Sequence, residues 1–223
     1  MKRLEVACFN LESALIAAKA GADRIEFCAD YASGGTTPDL EDFQKIKEAT
    51  AIPVYIMIRP RGGDFVYSAE EITRMKQSII DFKKAGADGL VFGLLNTDHT
   101  LAAATNIEMV ELADNTPCTF HRAFDQSPDL EQSLEQLINW GFKTVLTAGG
   151  SSSAIDGAAT LQKLFYHAKS RIQILPGGGI RSGNIAELAK LLPTDFFHSA
   201  GITDGSEMAD PAEIKAIKSV LTL

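Results

Sequence analysis

No uninterrupted apolar run in the 223 residues approaches the ~18 residues that a transmembrane helix needs. Basic residues are the minority, 21 Lys and Arg against 29 Asp and Glu, giving a net charge of −8 and a pI near 5.0. That balance excludes non-specific binding to nucleic acid or to anionic membrane, both of which need basic patches. It leaves room for a small positive pocket. Cysteine is scarce: Cys8, Cys28 and Cys118, an odd number with no CxxC pair. A disulfide framework and a structural zinc site are thereby excluded, and the reducing cytoplasm is the expected compartment. Glu5 breaks the apolar start at once, so no secretory leader is expected. No GxGxxG follows the first predicted strand, which argues against a Rossmann dinucleotide site. No lysine stands at the C-terminal end of a predicted strand, which argues against Schiff-base chemistry. His99, His121, His167 and His198 share no HxH or HxxxH spacing; His121 and His198 read as hydrogen-bonding groups, and His99 and His167 as exposed loop and helix positions.

What the chain does have is alternation. Short apolar runs rich in Val, Ile and Phe predict strands at 4–8, 24–28, 54–58, 89–92, 117–120, 144–147, 172–175 and 195–198. Between them lie helix-period segments with start signals at Asn10, Thr37-Pro38, Ser68 with Glu71, Thr105 with Glu108, Ser127-Pro128, Ser153 with Asp156, Asn184 with Glu187, and Asp210-Pro211. A weak repeat, Ala20-Gly21-Ala22-Asp23 and Ala85-Gly86-Ala87-Asp88, with Trp140-Gly141-Phe142-Lys143 in the equivalent place, ends a helix and returns the chain to a strand. Eight such units without a linker predict one domain over 1–223, a single (β/α)8 TIM barrel. A doubly wound open sheet is the alternative, but no run reads as a charged, protected edge strand.

In a barrel, chemistry sits where strands end. The third strand exits into Arg59, Arg61, Gly62, Gly63 and Asp64, which resembles an anion clamp. The fifth exits into His121, Arg122 and Asp125, the sixth ends at Thr147, and the eighth gives His198 and Ser199. Gly177, Gly178 and Gly179 after strand seven, with Ser199 after strand eight, predict a phosphate cup. Glu5 and Glu26 interrupt apolar strands and need partners, with Arg59 and His121 expected to supply them. His121, Glu26 and Glu5 are then candidate acid/base or orienting groups acting on a small anionic ligand. Self-neutralising structural pairing is the bland alternative for the same charges. Period-2 alternation places Cys28 on the face of Glu26 and Cys8 on the face opposite Glu5, which argues against a preformed thiolate site joining them.

The stretches 22–28, Gly34-Gly35-Thr36-Thr37-Pro38, 58–65 and Thr119-Phe120-His121-Arg122-Ala123-Phe124-Asp125, together with Leu146-Thr147, Pro176-Gly177-Gly178-Gly179 and His198-Ser199, resemble the CutC family nearly end to end. The resemblance implies a cytoplasmic (β/α)8 barrel, usually a homo-oligomer with a dimer favoured, linked to copper homeostasis. It implies Cu(I) as the cofactor, with Cys28 at the family's Glu-x-Cys position and Cys8 near its first-strand cysteine. Thr147-Ala148-Gly149-Gly150 departs from the family's usual Thr-Ser-Gly. Three readings stay open: a copper-binding protein, an enzyme acting on a small phosphorylated anion, and a scaffold that keeps an old pocket.

Overall fold

Gly21 and Gly86 end their helices with φ of 99° and 87°, a region open to glycine because it has no Cβ. Two residues later the repeat aspartates tack down the preceding strands. Asp23 accepts from the Leu4 N–H at 2.7 Å, and Asp88 from the Val54 N–H at 2.8 Å. Each is also paired with a lysine, Lys218 and Lys47. The third unit has Lys143 in that place.

A computed structural model describes residues 2–222. The strands are β1 (Arg3–Cys8), β2 (Arg24–Phe27), β3 (Val54–Met57), β4 (Gly89–Phe92), β5 (Cys118–Phe120), β6 (Thr144–Thr147), β7 (Gln173–Pro176) and β8 (Phe196–Ser199). The helices are α1 (Leu11–Ala20), α2 (Leu40–Ala49), α3 (Ala69–Lys84), α4 (Ala103–Ala113), α5 (Leu130–Asn139), α6 (Ala158–Ala168), α7 (Ile185–Leu191) and α8 (Pro211–Leu221). All ladders are parallel, in the order β7-β6-β5-β4-β3-β2-β1-β8. β7 lies beside β8 without a ladder, and the Thr194 hydroxyl, 3.1 Å from the Ile174 carbonyl oxygen, bridges the seam. The result is a nearly closed (β/α)8 barrel. Among the described residues no helix is long and apolar enough to cross a membrane.

Helix starts differ from expectation in four places, one being α6, which opens after Gly157 rather than at Ser153 because the Ser153 and Asp156 side chains bond each other in the turn before it. Asp39 rather than Thr37 caps α2, because its carboxylate reaches the N–H groups of Glu41 and Asp42. Asp129 rather than Ser127 caps α5. Helix α4 begins before Thr105, because a bridge between Leu95 and Leu101 delivers the chain into the helix earlier. The Ser68–Glu71 capping box forms in full.

Strand alternation divides the interior. Outward residues such as Val6, Ile25, Ile56, Leu90 and Phe120 join the large core beneath the helices. Inward residues form two small apolar clusters, Cys28-Met57-Val91 and Leu146-Leu175-Phe196. A buried polar layer that includes Glu5, Arg24, Glu26, Thr119, Thr144 and His198 shares the interior with them. Gly89 makes that layer possible, since a Cβ there would lie 2.5 Å from the Tyr55 ring.

Candidate functional site

The barrel register puts three charged groups on one level: Glu5 pairs with Arg24 on one side and His198 on the other. The Arg24 Nε donates to Glu5 Oε2, and His198 Nδ1 lies 2.7 Å from Glu5 Oε1. The Arg24 guanidinium is sandwiched between the Tyr55 and Phe196 rings at 4.3 and 4.4 Å. Burial alone would raise the Glu5 carboxyl, but the charges and hydrogen bonds of Arg24 and His198 outweigh it and hold it at about 2. The expected partners of Glu5, Arg59 and His121, are thus replaced by Arg24 and His198. The reason is barrel closure, which brings β8 against β1.

Glu26 stands one level higher, beside Ala7 and Tyr55. Its Oε2 is 3.8 Å from His198 Nε2 and 3.8 Å from Cys28 Sγ, and its Oε1 is buried without a hydrogen-bond partner. Burial, reinforced by the charge of Glu5 and opposed by His198, pushes this carboxyl up to about 7. Burial lowers the affinity of His198 for a proton, but Glu26 and Glu5 more than compensate and raise it. The Glu26 and His198 groups thus each raise the other's dependence on a shared proton: the imidazole is favoured charged by the two carboxylates, and the Glu26 carboxyl is favoured neutral by burial.

His121 differs. Its Nδ1 accepts from the Ala123 N–H at 3.3 Å, which places the ring proton on Nε2, a buried atom without a partner. Burial and then the nearby Arg59 charge push its pKa down to about 3. At working pH it is a neutral hydrogen-bond donor, with the Phe65 ring packed 4.8 Å away.

The arginines divide unexpectedly. Arg59 spends three guanidinium hydrogen bonds on the carbonyls of Ser33, Gly35 and Gly63, at 2.8, 3.0 and 2.9 Å. It clasps the loop after β2 to the loop after β3. Gly62 serves the same clasp: a Cβ there would lie 2.7 Å from that of Ser33. Arg61 bonds Glu71 at 2.7 Å and Asp64 at 2.9 Å and does not line the cavity. Both arginines are thus committed to loop structure, because carbonyls and carboxylates from neighbouring loops reach them first. Arg122 is braced by Asp125 at 2.8 Å and the Ser151 carbonyl at 3.0 Å. Asp125 in turn accepts from the Thr147 hydroxyl at 2.5 Å and the Gly150 N–H at 3.0 Å.

A cavity of about 240 Å³ opens at this end of the barrel. Of the expected residues, Glu26, Cys28, Arg59, His121, Arg122, Gly178, Gly179, His198 and Ser199 line it. Glu5 lies below it. Asp64, Asp125, Thr147 and Gly177 support its loops or floor, and Gly177 leaves space for Leu146 and His198, which a Cβ would meet at 2.5 and 3.2 Å. Arg24 and Arg181 are additions. Arg24 opens a strand, away from the strand ends that mark barrel sites, although its i, i+2 relation to Glu26 carried the signal. Arg181 stands in the loop beyond the glycine run and had none.

Metal donors converge at one point: ligand atoms of Glu5, Glu26 and His198 lie within 4.8 Å of one another. Both Glu5 oxygens are already engaged by Arg24 and His198, so a cation would have to displace a guanidinium. The thiols do not combine either. Cys28 belongs to the interior cluster, whereas Cys8 belongs to the outer core, as alternation predicts. Burial and then the Glu26 charge push both thiols well above their ordinary range. The residues do not form a ready Cu(I) site.

Comparison with known proteins places these observations in a family. The model of the CutC family matches residues 2–203. The chain is 44% identical to the human "Copper homeostasis protein cutC homolog" over 206 residues, covering 92% of this chain and 76% of that one. It is 40% identical over 200 residues to a CutC family protein of Histophilus somni, covering 90% and 82%. The crystal structure of the putative copper homeostasis protein CutC from Streptococcus agalactiae superposes with a TM-score of 0.86 at 31% identity, over 91% of this chain and 100% of that one.

Proposed function

The chain belongs to the CutC family, and within that family we propose that it is an enzyme moving a proton on a small anionic molecule bound at the barrel mouth. The observation that carries this reading is Glu26: a buried carboxyl with one unpartnered oxygen, at the cavity, pushed to about 7 beside a coupled imidazole. A structural core does not require such a group, and a general base is most effective with a pKa near working pH. In this reading Glu26 takes the proton from carbon and the charged His198 imidazole supplies one to the product. Glu5 and Arg24 position His198 through its Nδ1. The His121 Nε2–H is a neutral donor to a polarised oxygen, and the buried surroundings strengthen that contact. The three free thiols suit the reducing cytoplasm.

Small hydroxy-aldehydes, hydroxy-ketones and their phosphate esters incubated with the protein in D₂O test the reading, with loss of the C–H signal beside the carbonyl read by proton NMR. At least one compound should exchange, faster as pH rises through about 7 as Glu26 loses its proton. Glu26→Gln should slow exchange by about 10²–10⁴-fold. Exchange at the wild-type rate in that variant, or no exchange with any compound, overturns the reading.

Copper binding is the second reading, favoured by the name of the human relative. Because the thiols lie on opposite faces of the barrel wall and stay protonated, Cys28→Ser and Cys8→Ser should each leave Cu(I) affinity, measured by competition with a chromogenic chelator, within about twofold of wild type. A tenfold weakening in Cys28→Ser would establish a thiol copper site instead.

A further inference from the structure

The protein carries a net charge of −8, yet its cavity is lined by three arginines, Arg59, Arg122 and Arg181, against one carboxylate, Glu26. Arg59 is largely spent on backbone carbonyls. Arg122 is ion-paired with Asp125 through Nε but keeps Nη1 unengaged, and Arg181 lines the cavity without a carboxylate partner among the described residues. We infer that these two, with the backbone amides of Gly178 and Gly179, form a subsite for the dianionic phosphate of a short phosphate monoester; this names the substrate class of the acid–base reading above and rests on it.

The subsite sits at the seam of the barrel. Among the described residues β7 forms its ladder with β6 and β8 with β1, so no backbone ladder spans the gap, which is bridged by the hydroxyls of Thr194 and Ser199. Among the described residues no backbone acceptor is found for the amides of Gly178 and Gly179. Their φ values of 100° and 68° are open to glycine, and a Cβ on Gly178 would lie 2.9 Å from Arg122 Nη1. That nitrogen is therefore held against the glycine loop. Its guanidinium is fixed elsewhere, through Nε to Asp125 and Nη2 to Ser151, which leaves Nη1 directed and little entropy to lose on binding. Arg181 is tethered by Nη1 to the Ile180 carbonyl at 2.7 Å and has no carboxylate partner among the described residues. The Ser199 hydroxyl donates to the same carbonyl at 2.7 Å and ties the two loops together. Two guanidinium groups and two amides offer more donors than the two oxygens of a carboxylate can use. A phosphate monoester has three terminal oxygens and nearly two negative charges at neutral pH.

Calorimetric titration with inorganic phosphate, glycerol 1-phosphate and glycerate tests the assignment on the full chain. Glycerol 1-phosphate should bind at least tenfold more tightly than glycerate, and more weakly as salt rises. Arg181→Met and Arg122→Met should each weaken it by tenfold or more, Arg181→Lys by less, and Arg61→Gln not at all. Because Arg122→Met also frees Asp125, Arg181→Met carries the decision, with its thermal melt as the folding control. Wild-type affinity in Arg181→Met, or no binding of either phosphate, overturns the subsite. If Glu26-dependent exchange persists without phosphate binding, the acid–base reading stands and only the subsite falls. Arg181-dependent phosphate binding without any exchange sinks the acid–base reading and leaves the subsite.

Discussion

Glu26→Gln is expected to stabilise the protein by about 3 kcal/mol at pH 8 and by almost nothing at pH 4, at about 1.36 kcal/mol per pKa unit. The sign follows from the direction of the shift. An acid raised from 4.5 to about 7 holds its proton more tightly in the folded state than in the unfolded one. Its stabilising contribution is complete below the unfolded value and is lost as pH rises through about 7. Glutamine imitates the protonated carboxyl at every pH, so the variant escapes that loss. Urea unfolding of wild type and variant at pH 4, 6 and 8 measures the difference; equal midpoints at pH 8 would show that the buried carboxyl costs nothing. Glu5 acts in the opposite sense. Held at about 2, it contributes stability above pH 4.5 that is lost as pH falls toward 2. The two glutamates thus oppose each other, and the one that opens on the cavity is the one held at a cost in stability.

Arg24→Met should destabilise the protein by about 3–5 kcal/mol at pH 7, because it leaves Glu5 buried with only His198 to answer its charge. The packing loss is small, since methionine can still fill the slot between Tyr55 and Phe196. The double variant Glu5→Gln/Arg24→Met should recover more than half of the loss, because both charges leave together. Urea midpoints of the single and double variants form a cycle that isolates the pair. A loss below about 1 kcal/mol in Arg24→Met would mean that water reaches the layer and screens Glu5.

The path from sequence to site broke at side-chain partners rather than at elements. The eight strands fall within a residue or two of their expected ends, because apolar runs of strand length between helix-period segments are local signals. The facing of Cys8 and Cys28 followed from alternation. Arg59 read as a clamp for anions because its nearest sequence neighbours are charges and glycines. Its partners turned out to be carbonyls of Ser33 and Gly35, which belong to another loop. His121 read as an acid/base because histidine ordinarily titrates near neutrality, and the burial that removes this property is visible only in three dimensions.

By itself the sequence determined the repeated unit, the barrel that eight such units form, the end of the barrel at which polar groups gather, and the family. These rest on period, capping and motif, which are properties of neighbouring residues. Only the tertiary structure decided which charges meet. Closure placed His198 at 2.7 Å from Glu5, 193 residues earlier in the chain, and register set Arg24 on the other side of the same carboxylate. The open seam beside β8 left Gly178 and Gly179 without strand partners. A charge acquires its pKa from what lies within a few ångströms of it, and chain order does not fix those neighbours.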